Sequence, residues 1–318
     1  MQKTLRRTGI GMVVALVGLV ACPVARAESG SERVAWADRA PSLSLRWQAE
    51  DGGAAAPEPG NDASDTAGGA DIDAAALAKQ TQNPIADLIS LPFQFNVNFG
   101  VGSHDRASAV LNIQPVIPFS LSDDWNLITR TILPVTYLPS LGPGGDEEFG
   151  IGDIQFTGWL SPKGDSGFMW GIGPVLRFPT ASDDSLGSEK WSAGPSFVAV
   201  VMEGPWVAGG LVQNVWSFAG DSDRSQVNEF LLQPFVNYNL EGGWYLSSSP
   251  LITANWDRDS SDQWLIPVGG GFGRVFKIGQ QRVNVSLQSF YNVAKPSEGP
   301  DWSMRFQFQL LFPKKKNR

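Results

Sequence analysis

The chain is short of the residues on which most hydrolytic, redox and metal chemistry depends. Among 318 residues there is one cysteine, Cys22, and one histidine, His104. A lone cysteine excludes a disulfide framework. The sequence contains no His/Cys metal-ligand cluster, no Gly-x-Ser-x-Gly turn and no phosphate loop, so no metal, no cofactor and no enzyme activity are expected. Positive charge is also in the minority, with 24 basic against 32 acidic residues. Nucleic acid is therefore disfavoured as a partner, because its binding rests on phosphate neutralisation. Past the first 27 residues there is no apolar run of the 18 or so residues that a membrane-crossing helix requires. Yet the chain carries 12 Trp and 18 Phe among 35 Gly, much aromatic surface for a sequence without a long apolar block.

The N-terminus reads as a secretory signal peptide over residues 1–27. Lys3, Arg6 and Arg7 form a basic front, Gly9 to Ala21 an apolar run of 13 residues, and Ala25-Arg26-Ala27 a small-residue cleavage pattern. Leu19-Val20-Ala21-Cys22 also resembles a lipobox, which leaves lipidation at Cys22 as the alternative to cleavage after Ala27. The leader holds four basic residues and no acidic ones, so its removal leaves 20 basic against 32 acidic residues.

Residues 28–75 are rich in Ala, Gly, Asp, Ser and Pro and cannot bury enough apolar surface to offset their ordering entropy. They are expected to form a disordered tail. Residues 76–90 have the composition of a short helix, which Asn83-Pro84 ends. Ile85, Leu88 and Ile89 then make a small apolar face, and this segment is expected to fold as a plug into whatever follows.

From Leu91 the period becomes two. In LPFQFNVNFGV, Leu91, Phe93, Phe95, Val97, Phe99 and Val101 fall on one face, and Gln94, Asn96 and Asn98 on the other. Such runs recur to Phe312, giving about 12 strands of about 11 residues over residues 91–312. Short and long connections take turns. SLSDD, SPKGDSG, EGP, EGG and KIGQQ are tight, whereas GSHDRAS (102–108), LPSLGPGGDEE, TASDDSLGSEK, AGDSDRSQ, DRDSSDQ and AKPSEGPD are longer and polar. GGGFG (269–273) lies inside a strand pattern and reads as a close approach of a neighbour rather than a phosphate loop.

A soluble sandwich would point its apolar face inward. An outer-membrane barrel inverts this arrangement, with lipid outside and a polar lumen. The strand length suits a tilted bilayer crossing, and the aromatics gather at strand ends rather than mid-strand. Phe119, Trp125, Phe168, Trp206, Trp244 and Phe312 flank the short turns; Phe99, Tyr137, Phe178, Trp191, Trp216, Trp256, Trp264, Tyr291 and Trp302 flank the long loops. Two such belts mark the two membrane–water boundaries. The expected fold is all-β: a transmembrane antiparallel up-and-down barrel that faces outer-membrane lipid.

Strand parity sends Arg130, Asp153, Arg177, Glu229 and Arg305 to the lumen, where ionisable groups line water or pair with one another. They are the candidates for setting pore polarity and selectivity. The alternative is that they only cross-link a filled barrel. The two functions that follow are a channel or transporter for a small solute, and a structural or surface-interaction barrel with no transport. A twelve-stranded outer-membrane phospholipase exists and uses a Ser/His pair, but His104 sits in the first long loop, away from any strand-borne serine on the outer wall.

Specific blocks add a resemblance. KQTQNPIADLISLPFQFNVNFG (79–100), LNIQPVIPFSLSDDWNLITRTILPV (111–135), GPVLRFPTASDDSLGSEKWSAGP (173–195) and WSFAGDSDRSQVNEFLLQPFVNY (216–238) resemble a proteobacterial outer-membrane β-barrel family. The family is named for meta-pathway phenol degradation and transport, and is sometimes mislabelled neuromedin U. The resemblance runs from about residue 76 to the C-terminus and leaves out residues 28–75. It implies a barrel that moves hydrophobic or aromatic compounds.

The last strand carries Phe306, Phe308, Leu310 and Phe312 on its lipid face. Barrel-assembly machinery reads a terminal strand of this kind, usually with an aromatic last residue. Here Pro313 ends the strand and residues 313–318 form a basic tail, expected in the periplasm, so the signal is placed at Phe312.

Overall fold

A computed structural model describes residues 76–140, 146–164 and 167–312. The leader, the lipobox, the tail at 28–75 and the basic tail lie outside the described residues.

Twelve antiparallel strands close into a barrel. They are β1 (Ile89–Val101), β2 (Arg106–Ile113 and Val116–Ser120), β3 (Trp125–Leu138) and β4 (Glu148–Ile151 and Ile154–Pro162). Next come β5 (Phe168–Phe178), β6 (Lys190–Glu203), β7 (Trp206–Gly220) and β8 (Asn228–Asn239). The series ends with β9 (Trp244–Ser248 and Ile252–Asn255), β10 (Trp264–Ile278), β11 (Gln281–Ala294) and β12 (Trp302–Phe312). Each strand pairs with its sequence neighbours, and β12 pairs back onto β1 with Phe306 opposite Phe95 and Phe312 opposite Ile89. Closure leaves no sheet edge, so every strand has a partner on both sides.

The alternation is inverted, as expected for a lipid-facing wall. Along β11, Leu287, Ser289, Tyr291 and Val293 are exposed while Gln288, Phe290 and Asn292 are buried. Along β6, Trp191, Phe197 and Val201 are exposed while Ser192, Ser196, Val198 and Val200 are buried. Exposed aromatics mark both ends of the wall: Trp125, Phe168, Trp206 and Trp244 beside the short turns, Trp191, Trp216, Trp256 and Trp302 beside the long connections. Several stack in pairs, among them Phe99 on Trp302 with centroids 4.0 Å apart and Trp256 against Trp264 at 5.4 Å. A continuous apolar exterior of this kind is stable only in lipid.

Three strands that the alternation reads as continuous are interrupted. Gln114-Pro115 splits β2, Gly152-Asp153 splits β4 and Ser249-Pro250-Leu251 splits β9. Pro115 and Pro250 lack the N–H a ladder needs. At the β4 break, Gly152 N–H still donates to Pro134 O at 2.9 Å. The connection expected over 102–108 contracts to 102–105, because Gly102 (φ 68°) and Asp105 (φ 51°) turn the chain tightly and Arg106 already pairs with Val101.

The close approach at GGGFG has an identifiable cause. Tyr245 on β9 is directly opposite Gly273 on β10. A Cβ at Gly273 would lie 2.3 Å from the tyrosine ring. The ring crosses the glycine, and its hydroxyl donates to Asn284 Oδ1 on β11 at 2.8 Å.

A helix at 76–81 precedes β1. Asn83 ends it: its side chain accepts from Ile85 N–H at 3.0 Å, an Asx turn that Pro84 favours. Ile85 is buried with Ile128, Trp159, Val198, Val200, Val207, Leu211 and Phe235, which come from β3, β4, β6, β7 and β8. Leu77, Ala78 and Leu88 are buried with Tyr245, Val275 and Leu311. Gln82 and Asn239 exchange amide hydrogen bonds at 2.9 and 3.1 Å. The segment thus lies within the barrel, toward the short-turn end where Asn239, Met169 and Leu311 stand.

Candidate functional site

The lumen is divided in two. On one side, β3, β4 and β6–β8 present the apolar cluster that receives Ile85. On the other, β1, β2, β11 and β12 present amides, Gln94, Asn112, Gln114, Asn284, Gln288, Gln307 and Gln309, and Gln155, Gln213, Gln233 and Asn237 carry the amide lining onto β4, β7 and β8. Between these sides and residues 80–88 lies a cavity of about 360 Å³. Among the described residues that line it, fourteen are Asn or Gln and one, Arg130, is charged. Amides both donate and accept, so this lining can solvate neutral or charged groups without carrying charge of its own.

The five charged candidates do not form one network. Arg177 and Glu229 meet at 2.8 Å, a strut from β5 to β8 that reaches past β6 and β7. Arg305 is committed elsewhere. Its Nε donates to Asn96 Oδ1 at 3.1 Å and its Nη1 to Ser249 O at 2.8 Å, while the guanidinium stands 5.1 Å from the Phe290 ring centroid. Ser249 O is available because β9 breaks there, so the arginine satisfies a carbonyl the ladder left open. Arg130 lies 5.0 Å over the Trp159 ring, a cation–π contact. Among the described residues its buried Nε has no hydrogen-bond partner. Thr157 Oγ1, Ser192 Oγ and Gln213 Oε1 are likewise buried and unpartnered.

The fifth candidate, Asp153, belongs to a loop rather than the lumen. It sits at the β4 break, where strand parity no longer dictates direction. Oδ1 accepts from Thr180 N–H and Ala181 N–H at 3.2 Å; Oδ2 accepts from Ser188 N–H at 2.8 Å and its hydroxyl at 2.7 Å. Asp153 therefore anchors the 179–189 connection. The same rim holds Arg224, which donates to Asp184 O and Gly187 O at 2.6 Å and pairs with Glu189 at 3.3 Å. A hydrogen bond with Asp184 raises the Glu189 carboxyl above its ordinary range, while the Ser185 N–H and hydroxyl hold Asp183 below its own. His104 is exposed in the first connection, its Nδ1 3.0 Å from Ser103 Oγ. Among the described residues no group of three His, Cys, Asp or Glu side chains is placed to hold a metal ion.

The barrel resembles that of a solved outer membrane channel. That channel, from Pseudomonas putida F1, matches with a TM-score of 0.56 at 15% identity, over 71% of this chain and 94% of its own. The NanC porin and the outer membrane phospholipase A of Escherichia coli match more loosely. Their TM-scores are 0.45 and 0.38 at 10% and 12% identity, over 71% and 76% of this chain and 100% and 98% of theirs. Likenesses that loose carry no functional information, and the first, at its low identity, establishes the fold alone. No protein-family model and no curated protein sequence matches the chain.

Sequence reasoning sought the site in charges and missed two features. The first is the amide lining. Its residues were legible as the polar face, but amides draw less notice than charges. The second is the apolar half of the lumen. Ile128, Trp159, Phe235 and their neighbours share the parity of Arg130, Thr157 and Asn237, and that shared parity was the available signal.

Proposed function

We propose that the chain is a channel of the bacterial outer membrane that passes small solutes through its lumen. One observation carries this reading: an apolar wall encloses a cavity of about 360 Å³ whose described lining is largely uncharged amides, with apolar groups and one arginine. That volume suits a single small molecule. The apolar half of the lumen, and the sequence resemblance to the phenol-pathway family, favour hydrophobic or aromatic solutes. Lipid is then the partner of the outer wall, and the assembly machinery reads Phe306, Phe308, Leu310 and Phe312 on β12. Reconstitution into planar bilayers and liposome-swelling assays test the reading. Discrete current steps and uptake of small solutes are expected; a silent bilayer with verified inserted protein sinks it.

One observation favours a second reading, a structural barrel with a filled lumen. Residues 77–88 already occupy part of the interior. Conductance of the intact chain separates the two. A channel passes current with this segment in place, whereas a barrel that the segment fills is silent until residues 28–88 are deleted.

A further inference from the structure

We infer that Arg130 is the seat for the carboxylate of a small organic acid whose apolar body lies against the adjoining apolar lining. Of the three arginines among the charged candidates, Arg177 and Arg305 have committed partners. Arg130 does not: its one described contact is the face of Trp159, and its Nε is buried without an acceptor. A guanidinium carries five donors and no acceptor, and matches a carboxylate bidentately. Thr157, directly opposite Arg130 on β4, is a second buried polar group without a partner among the described residues, so no threonine hydroxyl is shown to satisfy the guanidinium. Among the described residues, the cavity that Arg130 lines has no carboxylate in its wall to compete for the cation or repel an incoming anion.

The rest of the lining selects the body of the ligand. Val116, directly opposite Arg130 on β2, joins Leu231 and Phe235 on the wall of the same cavity. A bare anion such as phosphate would leave these groups uncovered, whereas an aromatic or short aliphatic acid covers them. The acidic residues of the long connections act on approach, and their effect is screened beyond about 8 Å at physiological salt.

This inference rests on the lumen being a solute path, but binding can be read without conduction. Isothermal titration calorimetry on the detergent-solubilised full chain uses benzoate, benzyl alcohol, acetate and inorganic phosphate as probes. Benzoate is expected to bind saturably. Benzyl alcohol, which keeps the ring and lacks the charge, and acetate and phosphate, which lack the ring, are each expected to bind about tenfold or more weakly. Arg130→Gln, checked for folding by its heat-dependent gel mobility, is expected to lose benzoate binding by a similar factor, and Arg130→Lys to restore part of it. Equal binding of benzoate and benzyl alcohol, equal binding of benzoate and phosphate, or unaltered benzoate binding in Arg130→Gln would each overturn the assignment. The probe comparison on the unsubstituted chain decides the matter even if the variants fail to fold. Benzoate binding in a protein that passes no current supports the seat and sinks the channel reading.

Discussion

Ile85→Ala is the substitution that most directly probes the segment inside the barrel. Ile85 is 5% exposed and reaches Trp159 and Phe235 from a stretch that has no ladder of its own. Removing three carbons from such a site costs about 2–4 kcal/mol, by transfer free energy and by the cavity left behind. The wall is held by its closed hydrogen-bond ladder, so this loss falls on docking of the segment rather than on the barrel as a whole. Ordering each residue opposes docking by about 1–2 kcal/mol, so the margin is thin and one large side chain matters. At about 1.4 kcal/mol per tenfold, the undocked population should rise by roughly 30-fold to 10³-fold. Two assays read this on folded protein: tryptic cleavage after Lys79, and single-channel conductance. Both should increase, with the gel mobility of the folded barrel unchanged. An Ile85→Ala protein with the parent's cleavage rate and conductance would show that the segment is not held by this pocket.

Three further substitutions have defined outcomes. Glu229→Gln removes the anionic half of a partly exposed strut and leaves Arg177 unneutralised, so the reversal potential in a salt gradient should move toward anion preference while thermal stability changes by about 1 kcal/mol or less. Asp262 accepts from Ser297 N–H and hydroxyl, at 2.5 and 2.8 Å, and these bonds hold its carboxyl below the ordinary aspartate range. Because the folded value is lowered, the tether is present above the ordinary value of about 3.9 and is lost as pH falls through the lowered one. Protease sensitivity of residues 295–301 should thus separate Asp262→Ala from its parent at neutral pH and converge with it in strong acid. Phe312→Ala should reduce the folded barrel recovered in the outer membrane of expressing cells; full recovery would move the assembly signal away from Phe312.

The strands were legible because a barrel wall has two different solvents, one on each face, and the sequence must alternate to suit both. Leu91 to Val101 already shows the period, and the pairing of β12 with β1 follows from the shared run of Phe93, Phe95, Phe306 and Phe308. The short helix was legible from Asn83-Pro84. The strand breaks were less so. Pro115 and Pro250 are visible in the sequence, but whether a proline bends a strand or ends its pairing depends on which neighbour needs the missing N–H.

The site was legible only as a side, not as an arrangement. Parity put Arg130, Arg177, Glu229 and Arg305 on the polar face, and side of the wall is all that period two encodes. It could not tell that Arg177 reaches Glu229 three strands away, that a break in β9 frees Ser249 O for Arg305, or that Arg130 lies over the Trp159 ring with its Nε unpartnered among the described residues. Nor could it tell that Asp153, at a break, turns to hold the 179–189 connection. These outcomes depend on curvature, which brings strands distant in sequence together across the lumen. By itself the sequence determined which residues meet lipid and which face inward, because that choice is made residue by residue through solvation. Only closure of the barrel decided which inward side chains satisfy one another, because that depends on distances across a lumen that no single strand defines.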